Sequence, residues 1–163
     1  MDSPEEKTPP AGKPSRRRLW LRVLSCALLV GTVVFIISFM RACEQWRRMG
    51  CGSNMFHLGL ACHEYASNHD GYFPGRWSDM KNEEYYSVLL LNMRCPSTGH
   101  ELGSLATVDF WADYRLLPGL TEKSPATEAL IIEPLSNHQD RGAHVCFVDG
   151  HVEWWPAEKV RGH

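Results

Sequence analysis

The chain has 163 residues and a formal net charge of −2, with Lys and Arg spread along it and not gathered on one face. That excludes an electrostatic footprint for a nucleic-acid backbone, so nucleic acid is not an expected partner. Six tryptophans exclude disorder beyond the N-terminal tail, because their area offsets the entropy of ordering; one core of ordinary domain size is expected after the tail and one apolar segment are set aside.

Met1 to Lys13 are rich in Pro, Glu, Lys and Ser and have no apolar face. With the cluster Arg16, Arg17, Arg18 they make residues 1–18 an expected disordered, cytoplasmic tail. The stretch LWLRVLSCALLVGTVVFIISFM follows, from Leu19 to Met40. Its uninterrupted apolar part, Val23 to Met40, is about 27 Å long as a helix and just reaches across a bilayer. Arg22 lies one turn in, where its stem leads the guanidinium back to the headgroups. A cleaved signal peptide is the rival, but such a segment is usually shorter and ends in small residues, whereas this one ends in Phe39, Met40, Arg41. A lipoprotein site at Cys43 is disfavoured by Arg41. The expectation is an uncleaved transmembrane helix over 19–40, with membrane lipid as its partner. Lys7, Lys13 and Arg16 to Arg18 precede it, against Arg41, Arg47 and Arg48 after it. That count places the N-terminus in the cytoplasm and residues 41–163 outside, in a single-pass protein of the bacterial inner membrane.

Cys26 falls in the span, which leaves Cys43, Cys51, Cys62, Cys95 and Cys146 in a compartment where thiols oxidise. An odd number means that at least one stays free or pairs between chains. The sequence has no C-x-x-C, which removes support for a redox motif or a zinc ribbon.

From Arg41 to about Asn68 the pattern stays helical: Met55, Leu58, Cys62 and Tyr65, with Ala61 beside them, form one apolar stripe. Gly50 and Gly52 are expected to bend or break this helix, at a cost of about 1 kcal/mol each relative to Ala. The run Asn68, His69, Asp70, Gly71 and then Phe73, Pro74, Gly75 is a helix stop. A second helix is expected over Asp79 to Met93, before the break at Cys95, Pro96, Ser97. Strands are expected over Asp109 to Leu116, Glu128 to Ile132 and Ala143 to Val148. In VCFVDGHVEWW, Asp149 and Gly150 predict a two-residue type I′ loop, with His151 to Trp155 as the returning strand. Helix first and sheet later predicts an α+β domain.

The stretches CGSNMFHLGLACHEYASNHDGYFPG, RCPS, ADYRLLPGL and NHQDRGAHVCFVDGHVEWW, from about Cys51 to Trp155, resemble the bacterial pilin-like family that carries a prepilin-type N-terminal segment and a C-terminal H-x9-DG motif. The resemblance implies a pseudopilin-like fold, in which an N-terminal transmembrane helix continues into a soluble helix packed on a small antiparallel sheet. It also implies a structural or assembly role in the envelope, linked to a secretion or pilus-like system, with envelope proteins or further copies of the chain as partners. His138, Asp149 and Gly150 occupy the motif positions, although ten residues separate His138 from Asp149. The prepilin cleavage signature is missing, since the span opens RRRLWLRVLSC. A diverged relative with a permanent anchor is therefore expected.

His57, His63 and His69 recur every six residues, about 600° of helical rotation per step, and share no face. Cys62 and His63 are neighbours that point apart, as a buried thiol beside an exposed imidazole would. His138, Asp140, His144, Asp149 and His151 are the densest set, and they carry the alternative reading of an extracytoplasmic metal- or ligand-binding module. The plainer reading, a turn at Asp149 and a loop cap at His138, is preferred. Cys95 and Cys146 lack the motif of a thiol nucleophile. No catalytic residue, cofactor or metal is expected. Alternation along the last strand puts Trp154 and Trp155 on opposite faces, and the more exposed of them is the expected partner contact.

Overall fold

The computed structural model describes residues 16–84 and 86–162, so most of the expected tail lies outside the described residues. The fold is α+β. Its order is α1 (Arg16–Asn68), α2 (Tyr86–Leu89), α3 (Val108–Trp111), β1 (Arg115–Leu116), β2 (Ala129–Ile132), β3 (Gly142–Phe147), β4 (Val152–Pro156) and α4 (Ala157–Arg161), with short 3-10 turns between. The chain divides into two compact units between Ala42 and Cys43.

In the first unit α1 begins at Arg16, so Arg16 to Arg18 are its first turn and not part of a tail. All described residues up to Ala42 are exposed. The most apolar 18-residue window of α1 has a mean hydropathy of 2.6 and is not buried at all, which makes this, among the described residues, the one helix long and apolar enough to cross a membrane.

In the second unit, the α1 residues from Cys43 onward carry the expected stripe. Met55, Leu58 and Cys62 are fully buried and Ala61 nearly so, while Tyr65 lies partly buried at the margin. Burying Met55 and Leu58 contributes roughly 2 kcal/mol each. Gly50 and Gly52 do not break the helix. A Cβ at Gly50 would meet the Pro96 ring at 3.2 Å, and one at Gly52 would meet the His144 ring at 3.2 Å. The missing side chains let the Cys95–Pro96 segment and β3 approach the helix, and that packing offsets the poor helix propensity. The stop falls where expected. Asp70 and Gly71 take left-handed backbone (φ 55° and 80°), and the Gly71 N–H donates to Ala66 O at 2.9 Å.

The four strands form one antiparallel sheet in the order β1-β2-β3-β4. A bulge in β2 between Ala129 and Ile131 turns both Leu130 and Ile131 into the α1-side core, with Cys146 and Val148. The other face holds Ala129, Val145, Phe147 and Trp155, with Val160 of α4 against them. Both faces of the sheet are thus covered, and all six residues of β3 are buried.

Three expectations change. The helix over Asp79 to Met93 is a chain of 3-10 turns around the four-residue α2, built from i+3 bonds such as Glu83 N to Met80 O and Tyr86 N to Glu83 O. Asp79 is spent at the start of the first turn, accepting from the N–H groups of Gly75 (3.0 Å) and Arg76 (2.9 Å). The strand over Asp109 to Leu116 is helical in α3, and only Arg115 and Leu116 pair with β2. Asp109 Oδ1 accepts from the Ser78 N–H at 3.1 Å, a tertiary bond that overrides the β-propensity of Val108, Phe110 and Trp111. The hairpin loop has three residues and not two. Gly150 has φ 86° and Asp149 is not left-handed; Gly150 N donates to Phe147 O at 2.9 Å and Phe147 N to His151 O at 3.0 Å. That is the loop closed by a glycine bulge, and Asp149 holds it by accepting from the His151 N–H at 3.1 Å.

Candidate functional site

The most unusual polar chemistry lies between α1 and the open end of the β2–β3 ladder. Glu133 extends β2 by one residue: its N–H donates to His144 O (3.1 Å), and the His144 N–H donates to Glu133 Oε2 (3.2 Å). Pro134 then stops the strand, and a 3-10 turn over Leu135–His138 brings His138 back over the same carboxylate. The turn ends on Gln139 and Asp140, both left-handed (φ 56° and 58°), and the Asp140 N–H returns to Leu135 O at 3.0 Å. A buried acid between two imidazoles results. Glu133 Oε1 lies 3.1 Å from His138 Nε2, and Oε2 lies 3.0 Å from His144 Nδ1. Asn137 Nδ2 adds a bond to Oε1 at 3.2 Å and one to Asp113 O at 2.9 Å. Glu133 and His138 are each 1% exposed.

Burial by itself pushes the Glu133 carboxyl up, but hydrogen bonds from His138 and His144, with the charge of His138, outweigh it and hold the group down at about 2. The carboxylate is therefore ionised inside the protein.

The second unit's part of α1 closes the site from the other side. Glu44 Oε1 faces His138 Nδ1 at 3.4 Å and Arg48 Nε at 3.4 Å, and the Arg48 guanidinium lies 4.5 Å over the Trp154 ring. Trp154 meets His138 and His144 edge-on, with centroids at 5.1 and 4.9 Å. One helical turn beyond Arg48, Cys51 is disulfide-bonded to Cys95, with Cα atoms 5.2 Å apart. Closing a loop across 44 residues stabilises the fold by about 4 kcal/mol in the chain-entropy picture. Cys95 Sγ lies 3.8 Å from His138 Nε2. The Cys95 backbone is fixed by Asp113, whose Oδ2 accepts from the Cys95 N–H (2.8 Å) and from Thr98 Oγ1 (2.7 Å), while Oδ1 faces His100 Nδ1 at 2.8 Å.

Asp113 and Asn137 also form the inner wall of a cleft of about 730 Å³, with Trp111, Phe110, Arg76 and Arg115 around it. Phe110 is 91% exposed at its lip.

The five-residue set read from the sequence divides in two. His138 and His144 belong to the buried cluster. Asp149 and His151 pair with each other on the exposed hairpin loop, and Asp140 is exposed on the turn behind His138. His63 lies under the hairpin: its ring meets Phe73 edge-on at 5.1 Å, and its Nε2 is buried with no hydrogen-bond partner. His138 is a member of an ion-pair cluster and does more than cap a loop. Of the tryptophans, Trp155 is 6% exposed in the core, with Nε1 donating to Glu153 Oε2 at 2.9 Å and Lys159 3.9 Å over its ring. Trp154 is the more exposed, and part of its face is taken by Arg48 and the two histidines. Of the five cysteines outside the span, Cys51 and Cys95 pair, while Cys43, Cys62 and Cys146 are free.

Sequence reading did not single out Glu133, Glu44, Arg48, Asn137 or Asp113. For Glu133 a signal existed: an acid closing the apolar run ALII, directly before Pro134, sits where a strand interior needs a partner for a buried charge. The others carry no local mark. Comparison with known proteins returns nothing: no family model, no curated protein and no solved structure matches the chain.

Proposed function

We propose that the chain is a single-pass, membrane-anchored structural or assembly protein of the bacterial envelope, of the pilin-like kind its sequence resembles. In this reading the N-terminus is cytoplasmic, the second unit is extracytoplasmic, and the protein is not an enzyme. It acts by protein contact, with further copies of itself or other envelope proteins.

The observation that carries this reading is the outward face of α1 in the second unit. Trp46, Met49, Phe56 and Leu60 are 75, 62, 46 and 50% exposed. They are spaced 3, 7 and 4 residues apart, with the small Ser53 at the intervening position of a 3-4 seam, and fall within an arc of roughly 80°, on the side away from Met55, Leu58 and Cys62. A soluble helix with one face in its core ordinarily turns polar residues outward. Here large apolar groups stand there, which suits a second helix of the same kind. Sedimentation of the full chain in detergent micelles tests it. Oligomers are expected that F56E/L60E reduces to monomers, and a wild-type chain that is monomeric at every concentration refutes the assembly reading. Protease digestion of intact spheroplasts tests the topology: the second unit is expected to be cut before lysis.

A second reading, an extracytoplasmic ligand-binding module, is favoured by the cleft beside Trp111, where Arg76, Arg115, Asp109 and Asp113 suit a ligand that carries both an acidic and a basic group. A monomeric chain whose tryptophan fluorescence responds to such a ligand selects it instead.

A further inference from the structure

We propose that Cys51, Cys95, His138 and Glu133 form a redox-gated zinc site: the disulfide state is closed to metal, and the reduced state holds a zinc ion on two thiolates, His138 Nε2 and a Glu133 oxygen. The proposal goes beyond the assembly reading and does not depend on it.

Four donors of three kinds that suit zinc, sulfur, nitrogen and oxygen, converge at this point of the fold. One atom from each residue lies within 4.8 Å of all the others, and all four residues are buried. Zinc in a tetrahedral S2NO set needs bonds of about 2.0–2.3 Å, which places its ligands roughly 3.3–3.8 Å apart. The cluster is within about 1.5 Å of that spacing. Reduction brings it closer to fitting, because breaking the S–S bond lets the two sulfurs separate toward the distance a metal requires.

The surroundings are those of a metal-binding histidine. His138 Nε2 points at Cys95 Sγ (3.8 Å) and at Glu133 Oε1 (3.1 Å), while Nδ1 faces the Glu44 carboxylate at 3.4 Å. A ligating imidazole commonly gives its other N–H to such a carboxylate, which sets the tautomer. Glu133 is oriented in the same manner, since the His144 N–H and ring nitrogen hold Oε2 while Oε1 faces His138 Nε2 and Asn137 Nδ2. Asp113 holds the Cys95 N–H.

The balance is explicit. A phosphine supplies two electrons, cleaves the Cys51–Cys95 bond and leaves as its oxide, with one water giving the oxygen and the two thiol protons; a dithiol supplies both electrons and protons and leaves as its own disulfide. Zinc then displaces both thiol protons to solvent. The proton that His138 Nε2 donates to Glu133 leaves to solvent as well, so that the ring keeps a proton on Nδ1, toward Glu44, and binds through Nε2.

The test uses the full chain in detergent micelles, reduced with a phosphine in metal-free buffer and titrated with Co²⁺, which Zn²⁺ then displaces. The expected result is one equivalent of cobalt with thiolate-to-metal absorption and the intense visible bands of a tetrahedral site, and none in the oxidised chain. The double substitution Cys51→Ser with Cys95→Ser is expected to abolish the thiolate band, and His138→Ala and Glu133→Gln to weaken binding roughly tenfold or more. Should these variants fail to fold, alkylation of the reduced wild-type chain decides: zinc is expected to protect Cys51 and Cys95, read by peptide mass, while Cys43 still reacts. Absence of cobalt uptake by the reduced chain overturns the proposal. So does a thiolate band that survives the loss of both Cys51 and Cys95 in a folded chain, or zinc that leaves Cys51 and Cys95 as reactive as before.

Discussion

Two acid–histidine groups in this protein share their chemistry and differ in their setting. Glu133 sits between His138 and His144 with almost no exposure, and Asp149 pairs with His151 on the hairpin loop, where both side chains are nearly half exposed. Both carboxyls are held below the usual carboxylate range by histidine hydrogen bonds. Only the buried one is structurally committed. If Glu133 is lost, two imidazoles and an amide are left facing each other without water; if Asp149 is lost, water takes its place. The consequence of removing an ion pair is set by what remains behind, and the strength of the original contact is secondary.

That contrast breaks first, if it is wrong, at Glu133. Glu133→Ala is expected to lower unfolding stability by about 3–5 kcal/mol, read from the urea midpoint by tryptophan fluorescence. A midpoint equal to that of the wild type would mean that the buried group is as replaceable as the exposed one.

The next effect tests burial without an ion pair. Cys146 lies on β3 between the two groups, and burial, with the charge of Asp149, pushes its thiol up to about 12; Cys62 is raised in the same direction by burial and by Cys146. A thiol raised in the folded state favours folding below its unfolded value near 9, and this advantage is lost as pH climbs from there toward 12. Stability at pH 10 is therefore expected to fall about 1.4 kcal/mol below its value at pH 8 on account of Cys146 alone. Cys146→Ala should shrink this alkaline loss, and a stability flat from pH 8 to 10 would contradict it.

The smallest effect belongs to the hairpin. Asp149→Asn is expected to leave the urea midpoint unchanged within error, because the loop keeps its left-handed Gly150 and its backbone bonds. A loss comparable to that of Glu133→Ala would erase the distinction between the two groups.

Local patterns carried several features. The apolar stripe of Met55, Leu58 and Cys62, the stop at Asp70 and Gly71, the β3–β4 hairpin and the opposite faces of Trp154 and Trp155 follow from periodicity and turn chemistry between near neighbours. Patterns failed where a distant group intervened. Asp109 to Trp111 read as strand, yet a bond from Ser78 holds them helical. Gly50 and Gly52 read as breaks, yet Pro96 and His144 press on the helix there. For the candidate site, His138 stood out as a motif residue, while its partners Glu133 and Glu44 lie 5 and 94 residues away and looked ordinary, and Cys95, 43 residues away, was weighed only as a lone thiol.

By itself the sequence determined the class of the most regular stretches: an apolar helix long enough to span, a helix with one buried stripe, a late sheet and its closing hairpin. Those properties depend on residues a few positions apart, which the chain brings together wherever it folds. The tertiary structure alone decided which cysteines pair, which acid is buried between histidines, and which face of α1 is left bare. Such choices rest on contacts between segments tens of residues apart, whose burial no local pattern encodes.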